Sequence, residues 1–418
     1  MSNAADDGTL FAQVMDHANR ADPYPLYRRM RSHPVSVQQD GTCVATTYVA
    51  IRQLISDPRV SSEDIPKSRM HWTGHPIHDL VLDPIRNRML ERHRPFIFRD
   101  PPAHDILRGM VTSQFTPARI RATGGGIKGL VNELLDRLRD RQQIDLVSDF
   151  SYPLPVTVIC QLMGVPRADE TLFHGWANVL ARSLDPDQRQ DQAAVAGFID
   201  AYQGMAAYMR ELIRSKRAHP TDDLLAGLAT YVDPEHGRMN DFDLLAASIL
   251  LLLAGHETTV NLITNGVLTL LRFPQHMERL RSDPDVAPRL IEELLRFEPP
   301  VHYRTRISLD RIEVNGAVIP AGAPMVLLFA SGNRDPARFA DPDVFNPDRE
   351  DNQHFGFGGG VHYCVGAPLA RAETEAALVA LATRLRAPRL LQDPPPYRDG
   401  ASLRGPLRLD LAIEGISD

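Results

Sequence analysis

Three cysteines occur among the 418 residues of this chain, and one of them, Cys364, stands in a setting that few reactions need. It lies in His354-Phe-Gly-Phe-Gly-Gly-Gly-Val-His-Tyr-Cys-Val-Gly-Ala-Pro-Leu369, where a lone thiol is set among glycines. Without side chains, the glycines let backbone approach a bulky group closely and turn N–H groups toward one sulfur. Pro368 and the run Leu369-Ala-Arg-Ala-Glu-Thr-Glu-Ala-Ala read as a helix start. Cys364 is therefore placed near a positive helix end, which lowers a thiol pKa and favours the metal-binding thiolate. Phe357 offers an aromatic face that can shield the sulfur from water.

A buried structural cysteine in a turn is the plainer reading of such a segment. The other two cysteines, Cys43 and Cys160, are remote in sequence. An iron–sulfur cluster, which takes about four thiolates, and a disulfide framework are therefore both disfavoured. A single thiolate suits axial ligation of haem iron. The full spacing Phe357-Gly358-x-Gly360-x-His362-x-Cys364-x-Gly366 resembles the haem-binding loop of the cytochrome P450 family, with each position of its pattern filled. The resemblance implies haem b (iron protoporphyrin IX), ligated by the Cys364 thiolate and contacted by Phe357, Gly358, Gly366 and Ala254.

A second constellation lies in Leu250-Leu-Leu-Leu-Ala-Gly-His-Glu-Thr-Thr-Val-Asn, inside a helix predicted to begin after Asp241. Apolar residues surround this helix on every side, which makes it a core helix. Polar groups in its middle then need a reason. Ala247, Leu250, Ala254, Glu257 and Thr258 share one face, small at the alanines and polar at the last two. Gly255 weakens the helix by roughly 1 kcal/mol relative to alanine, so the ladder could open there to seat a ligand or water. The plainer alternative is a glycine kink with threonine hydroxyls bonded back to helix carbonyls. Ala254-Gly255-x-Glu257-Thr258-Thr259 is similar to the oxygen-activation motif of the same family. By that resemblance Thr258 hydrogen-bonds the dioxygen species and Glu257 relays protons from solvent.

Two further sets follow the family pattern. Glu293-Leu-Leu-Arg296 is by itself a weak i, i+3 pair. The resemblance implies a buried structural pair, completed by Arg349 from Phe345-Asn-Pro-Asp-Arg349. Haem carries two carboxylates, and buried carboxylates need cations, for which arginine's planar fork is well shaped. His104, Arg108, Arg306 and His362 fall on the matching positions, with His104 and Arg108 one helical turn apart.

The elements that must position these groups are helical from about residue 103 to 297, among them 126–141, 193–217 and 242–272. A small hairpin is predicted at Val35–Gln38 and Thr42–Thr46, and strands at 306–308, 311–318 and 325–329. Residues 331–353 read as an irregular meander. The expected fold is mostly α with small peripheral β-sheets, one cytochrome P450 domain over 1–418. Residues 1–22 are expected to be a poorly ordered extension.

Hydrophobic residues make up 43% of the chain, enough for a large core, and a net charge of −7 argues against a nucleic-acid partner. The apolar run Leu244–Gly255, broken only by Ser248, is shorter than the roughly 20 residues a membrane span needs. A cytoplasmic protein without a membrane partner is expected. The resemblance implies a bacterial-type monooxygenase that hydroxylates or epoxidises a small organic substrate with dioxygen, in secondary metabolism. No flavin or nicotinamide fingerprint is present, so a ferredoxin or flavodoxin with its reductase would bring electrons. Arg119, Arg121, Lys128 and Arg371 are candidates for its docking patch. Oxidative coupling of phenols and a non-enzymatic haem sensor are the rival readings; a sensor has no need of Glu257 and Thr258. Substrate would meet Ala247, Leu250, Leu253, His302, Arg304 and Leu403, with segments 66–96 and 172–200.

Overall fold

The computed structural model describes residues 4–63, 94–181 and 192–417. In chain order its helices are α1 (Ala4–Met15), α2 (Tyr24–Met30), α3 (Tyr48–Ile55), α4 (Ala103–Thr112), α5 (Pro117–Asp136), α6 (Pro153–Leu162), α7 (Glu170–Ala181) and α8 (Gln192–Ala218). There follow α9 (Leu224–Thr230), α10 (Asp241–Arg272), α11 (Pro274–Ser282), α12 (Ala287–Phe297), α13 (Phe329–Gly332) and α14 (Ala367–Arg384). Expected as one domain, the chain divides into two compact units, one of 1–60, 121–155 and 257–418, the other of 61–120 and 156–256.

The first unit carries the sheets. Strands β1 (Val35–Val37) and β2 (Cys43–Ala45) form the expected hairpin, with Val35 opposite Ala45. A five-stranded sheet of order β1-β2-β8-β5-β3 adds β3 (Val60–Ser61), β5 (Arg304–Ser308) and β8 (Pro324–Leu327). Its second sheet joins β4 (Gln143–Asp145), β10 (Asp410–Ala412) and β9 (Arg389–Leu390). The predicted strand 311–318 is a tight hairpin of β6 (Ile312–Val314) and β7 (Ala317–Ile319). Asn315 and Gly316 turn it, at φ 46 and φ 80, the positive values such a two-residue loop demands.

Two expectations are corrected here. Residues 1–22 are not a loose tail from Ala4 onward: α1 buries Leu10, Phe11 and Val14. Arg20, 2% exposed, donates to the Val14, Met15 and Asp399 carbonyls. The acidic start of the chain masked the i, i+1, i+4 apolar spacing that gives this helix a face to bury. Helix α5 begins at Pro117, nine positions before the predicted 126, and runs through Gly124-Gly125-Gly126. Glycines disfavour a helix by about 1 kcal/mol each. Burial of Ile127, Leu130, Val131, Leu134 and Leu135 on the same helix outweighs that.

The second unit packs α7 against α8 through an aromatic cluster, with Phe173 edge-on to Tyr208 at 4.9 Å and to Trp176 at 5.6 Å. The Tyr208 hydroxyl donates to Asp169 at 2.6 Å. Helix α10 is long and apolar enough to cross a membrane, but most of it is buried within the protein, as a core helix is. Asn240 caps it, its side chain accepting from the Asp243 N–H at 2.9 Å, and Phe273-Pro274 ends it.

Candidate active site

The cysteine loop is held by its own backbone. The Cys364 N–H donates to the Phe357 carbonyl at 3.0 Å, and the Gly358 N–H to the Phe355 carbonyl at 2.8 Å. Gly360 sits at φ 59, and a Cβ there would collide with the Ile55 carbonyl oxygen, so no other residue fits. A short turn Gly360–His362 follows, leaving His362 half-buried, and Gly366 precedes the first residue of α14. Cys43 and Cys160 are buried, and burial pushes their thiols up to about 11 and about 12, which keeps both protonated and unreactive. Cys364 alone of the three is partly open.

A clamp that sequence reasoning missed braces this loop. Arg371 on α14 binds Glu292 on α12 bidentately, at 2.6 and 2.9 Å, and its guanidinium lies 4.5 Å from the centre of the Phe357 ring. His354, the first residue of the loop, accepts from the Gly356 N–H at Nδ1, so Nε2 carries the proton and donates to Glu292 at 3.2 Å. Burial pushes the Glu292 carboxyl up, but hydrogen bonds from Arg371 and His354 outweigh it and hold the carboxyl down at about 2. The stabilisation from Glu292 is therefore complete above its ordinary value of 4.5 and is lost as pH falls toward 2. Thermal melts of the wild type should lose stability across that window, and Glu292→Gln should flatten the loss. Arg371, engaged in this way, is no free member of a docking patch.

Helix α10 is continuous through the second motif, so Gly255 does not open the ladder as the sequence suggested. Glycine serves close packing instead: a Cβ there would lie 3.1 Å from Ile159 Cδ1. From Leu244 to Leu270 every residue is buried except Ala254, Gly255 and Thr258, which are half-buried. The middle of a core helix thus carries a small, partly open window with a hydroxyl at its edge. Glu257 beside it is 5% exposed, and Arg398 Nη1 donates to its carboxylate at 2.5 Å. Nothing in the spacing of Arg398 marks it for that role. His256, left without a role, is buried with Nδ1 3.0 Å from the Leu252 carbonyl, one turn back.

Of the four candidate cations, Arg306 and His362 belong to the unit that holds Cys364, while His104 and Arg108 lie on α4 of the other unit. Arg306, 9% exposed on β5, donates to the Thr305 carbonyl at 2.7 Å. His104 is fully buried, its Nδ1 2.7 Å from Asp105, and Arg108 is half-buried. Among the described residues no three His, Cys, Asp or Glu side chains gather as a site for a bare metal ion. An iron at Cys364 would bring its remaining ligands with it, as porphyrin iron does. A partly open thiol in a loop only glycine can build, with the buried Arg306 in the same unit, fits haem.

The scaffold residues meet in one network. Arg296 Nε and Nη2 donate to the two oxygens of Glu293 at 2.8 and 2.7 Å, with both residues fully buried. Arg349 Nε lies 3.5 Å from Glu293, and the Asn346 N–H and Asn352 amide donate to the same carboxylate. Arg296 Nη1 holds the Asn333 and Pro342 carbonyls of the meander.

The expected substrate contacts fare unevenly. Ala247, Leu250 and Leu253 are buried on α10. His302 is fully buried with Nδ1 2.8 Å from the Tyr27 hydroxyl, an N-terminal packing partner, which leaves the substrate contact expected of it without support. Arg304 donates to Ser402 at 3.1 Å, and Leu403 is buried opposite Val301. Residues 64–93, with the His- and Trp-containing run 70–78, and 182–191 lie outside the described residues. Arg119 binds Asp222 at 3.3 Å and Lys128 is exposed; the side chain of Arg121 is likewise outside the described part.

The Cytochrome P450 family profile matches residues 83–409. The chain is 38% identical over 390 residues to Cytochrome P450 107B1 of Saccharopolyspora erythraea, covering 92% of this chain and 93% of that protein. It is 34% identical over 372 residues to the cytochrome P450 monooxygenase PikC of Streptomyces venezuelae, covering 87% and 84%. The ligand-free crystal structure of Mycobacterium smegmatis CYP164A2 superposes with a TM-score of 0.85 at 35% identity, over 97% of this chain and 100% of that one.

Proposed function

This chain belongs to the cytochrome P450 family, a haem-thiolate monooxygenase that hydroxylates or epoxidises a small organic substrate, and we propose that Cys364 is its iron ligand and Thr258 with Glu257 its proton-delivery pair. The observation that carries this reading is the partial opening of Cys364 in a glycine-built loop, while the other two thiols are buried and protonated. Haem, when bound, supplies the activation of dioxygen and its insertion into the substrate.

The protein's own part is binding, orientation and proton control. His104, Arg108, Arg306 and His362 would be the residues to hold the two propionates, by charge-assisted hydrogen bonds. Phe357, with Gly358 and Gly366, keeps water from the sulfur and backbone close to it. Ala254 is small enough for a flat group to lie against α10. At the window edge the Thr258 hydroxyl would pass on a proton and take one back from the Glu257 carboxyl, which would refill from solvent. The substrate is a functionalised natural product, with Ala247, Leu250 and Leu253 as its candidate contacts in one unit and Arg304 and Leu403 in the other.

Bacterial members of the family use redox partners such as ferredoxin. For this chain the donor is a cytoplasmic ferredoxin or flavodoxin with its reductase, docking near Lys128. Thr258→Ala tests the relay: it should keep haem and substrate binding and divert most electrons to hydrogen peroxide. Unchanged coupling of electron consumption to product would reject the role.

A further inference from the structure

Tyr363 stands next to Cys364 in the chain, and the structure leaves it at the surface. Among the described residues, which include all ten tyrosines, it alone is an exposed one, at 41%. Exposure by itself says little, since single apolar side chains are common at protein surfaces. The setting says more. The Tyr363 N–H donates to the Gly360 carbonyl at 3.2 Å, which fixes the residue at the end of the Gly360–His362 turn. Its ring meets Phe357 edge-on, with centroids 6.2 Å apart.

The phenol is also tied to the brace of the cysteine loop. Arg371 Nη1 and Nη2 lie 3.4 and 3.5 Å from the Tyr363 hydroxyl, while the same guanidinium binds Glu292 and lies 4.5 Å from the centre of the Phe357 ring. Arginine only donates, so the hydroxyl is the acceptor there and keeps its own hydrogen to give. Tyr363 is one peptide bond from Cys364, about 3.8 Å between Cα atoms, with its outer edge in water. A phenol is readily oxidised by one electron, and once oxidised it gives its proton to water. A thiolate at a site that activates dioxygen is itself open to attack, passing through sulfenic acid to the irreversible sulfinic and sulfonic acids.

We propose that Tyr363 is an electron donor that protects the Cys364 site, discharging oxidising equivalents that the substrate does not consume. This rests on the haem-thiolate reading above and adds to it a second, protective redox activity. In each step one electron passes from the phenol to the oxidised site and the phenolic proton leaves to solvent, giving a neutral phenoxyl radical on Tyr363. The redox protein that serves the enzyme, a one-electron donor, returns an electron, and solvent returns the proton. Two such cycles discharge one two-electron equivalent, whose oxygen atom leaves as water with two protons from solvent. Phe357 and Arg371 keep the ring in place throughout, and substrate oxidation does not pass through Tyr363.

The test mixes haem-loaded, substrate-free enzyme with hydrogen peroxide and freezes it within milliseconds to seconds. Wild type should give a phenoxyl-radical signal by electron paramagnetic resonance, and Tyr363→Phe, which keeps a ring against Phe357, should lose most of it. Under peroxide the variant should also lose its haem absorption severalfold faster and carry more oxidised Cys364 by mass spectrometry. Its initial haem content and the thiolate-shifted absorption of its reduced carbon monoxide complex should match the wild type. No radical in the wild type, a radical of equal size in the variant, or equal bleaching of the two overturns the proposal. The shifted absorption separates the two layers. If the wild type lacks it, the haem-thiolate reading itself fails; if the wild type shows it and no radical forms at Tyr363, that reading stands and the protective role falls.

Discussion

Replacing Cys364 by serine should abolish the thiolate-shifted absorption of the reduced carbon monoxide complex and reduce oxygenation to background, while the protein stays folded. The loop does not depend on the sulfur for its shape. Its turns rest on backbone bonds from Cys364 to Phe357 and from Gly358 to Phe355, and the Glu292–Arg371–His354 clamp braces it from α12 and α14. Serine differs by one atom but is a far weaker donor to iron, because its alkoxide is not formed at neutral pH. A thiolate is needed to push electron density through iron and favour O–O cleavage. Cys160→Ala, at a fully buried site, is the control and should keep the shifted band. Survival of that band in the serine variant would reject Cys364 as ligand.

The largest stability effect is expected at Glu293. Its carboxylate accepts from Arg296 twice, from the Asn346 N–H and from the Asn352 amide, with Arg349 3.5 Å away. Glu293→Ala strands the guanidinium of Arg296, which is fully buried. Removing one partner of a buried ion pair costs about 3–5 kcal/mol, a large share of the roughly 5–15 kcal/mol that holds a typical protein folded. The variant should therefore show a much lower denaturant midpoint and little haem-loaded protein, not an altered product. A midpoint equal to the wild type would remove the network from the scaffold.

The β1–β2 hairpin, the long core helix and the irregular meander each follow from local pattern, and all but the last residue or two of their limits were readable; the Asn315-Gly316 turn was not, because 311–318 reads as one strand and is a hairpin. Motif positions were equally legible, because glycine spacing around a thiol and a Glu–Thr pair inside an apolar helix are costly arrangements. The N-terminal helix and the glycine-crossed start of α5 were not. Their stability comes from faces such as Leu10, Phe11 and Val14 that only a packed partner rewards.

The residues alone determined the kinds of groups present: one thiol in a tight loop, an acid and an alcohol in a core helix, arginines where carboxylates would need them. Such types and spacings are local properties of the chain. What only the tertiary structure decided was their company. Arg371 became a loop brace, His302 a partner of Tyr27, and Arg398 the counter-ion of Glu257 from a hairpin 141 residues away. Those pairings depend on which surfaces the fold buries together, and burial is what makes an ion pair matter.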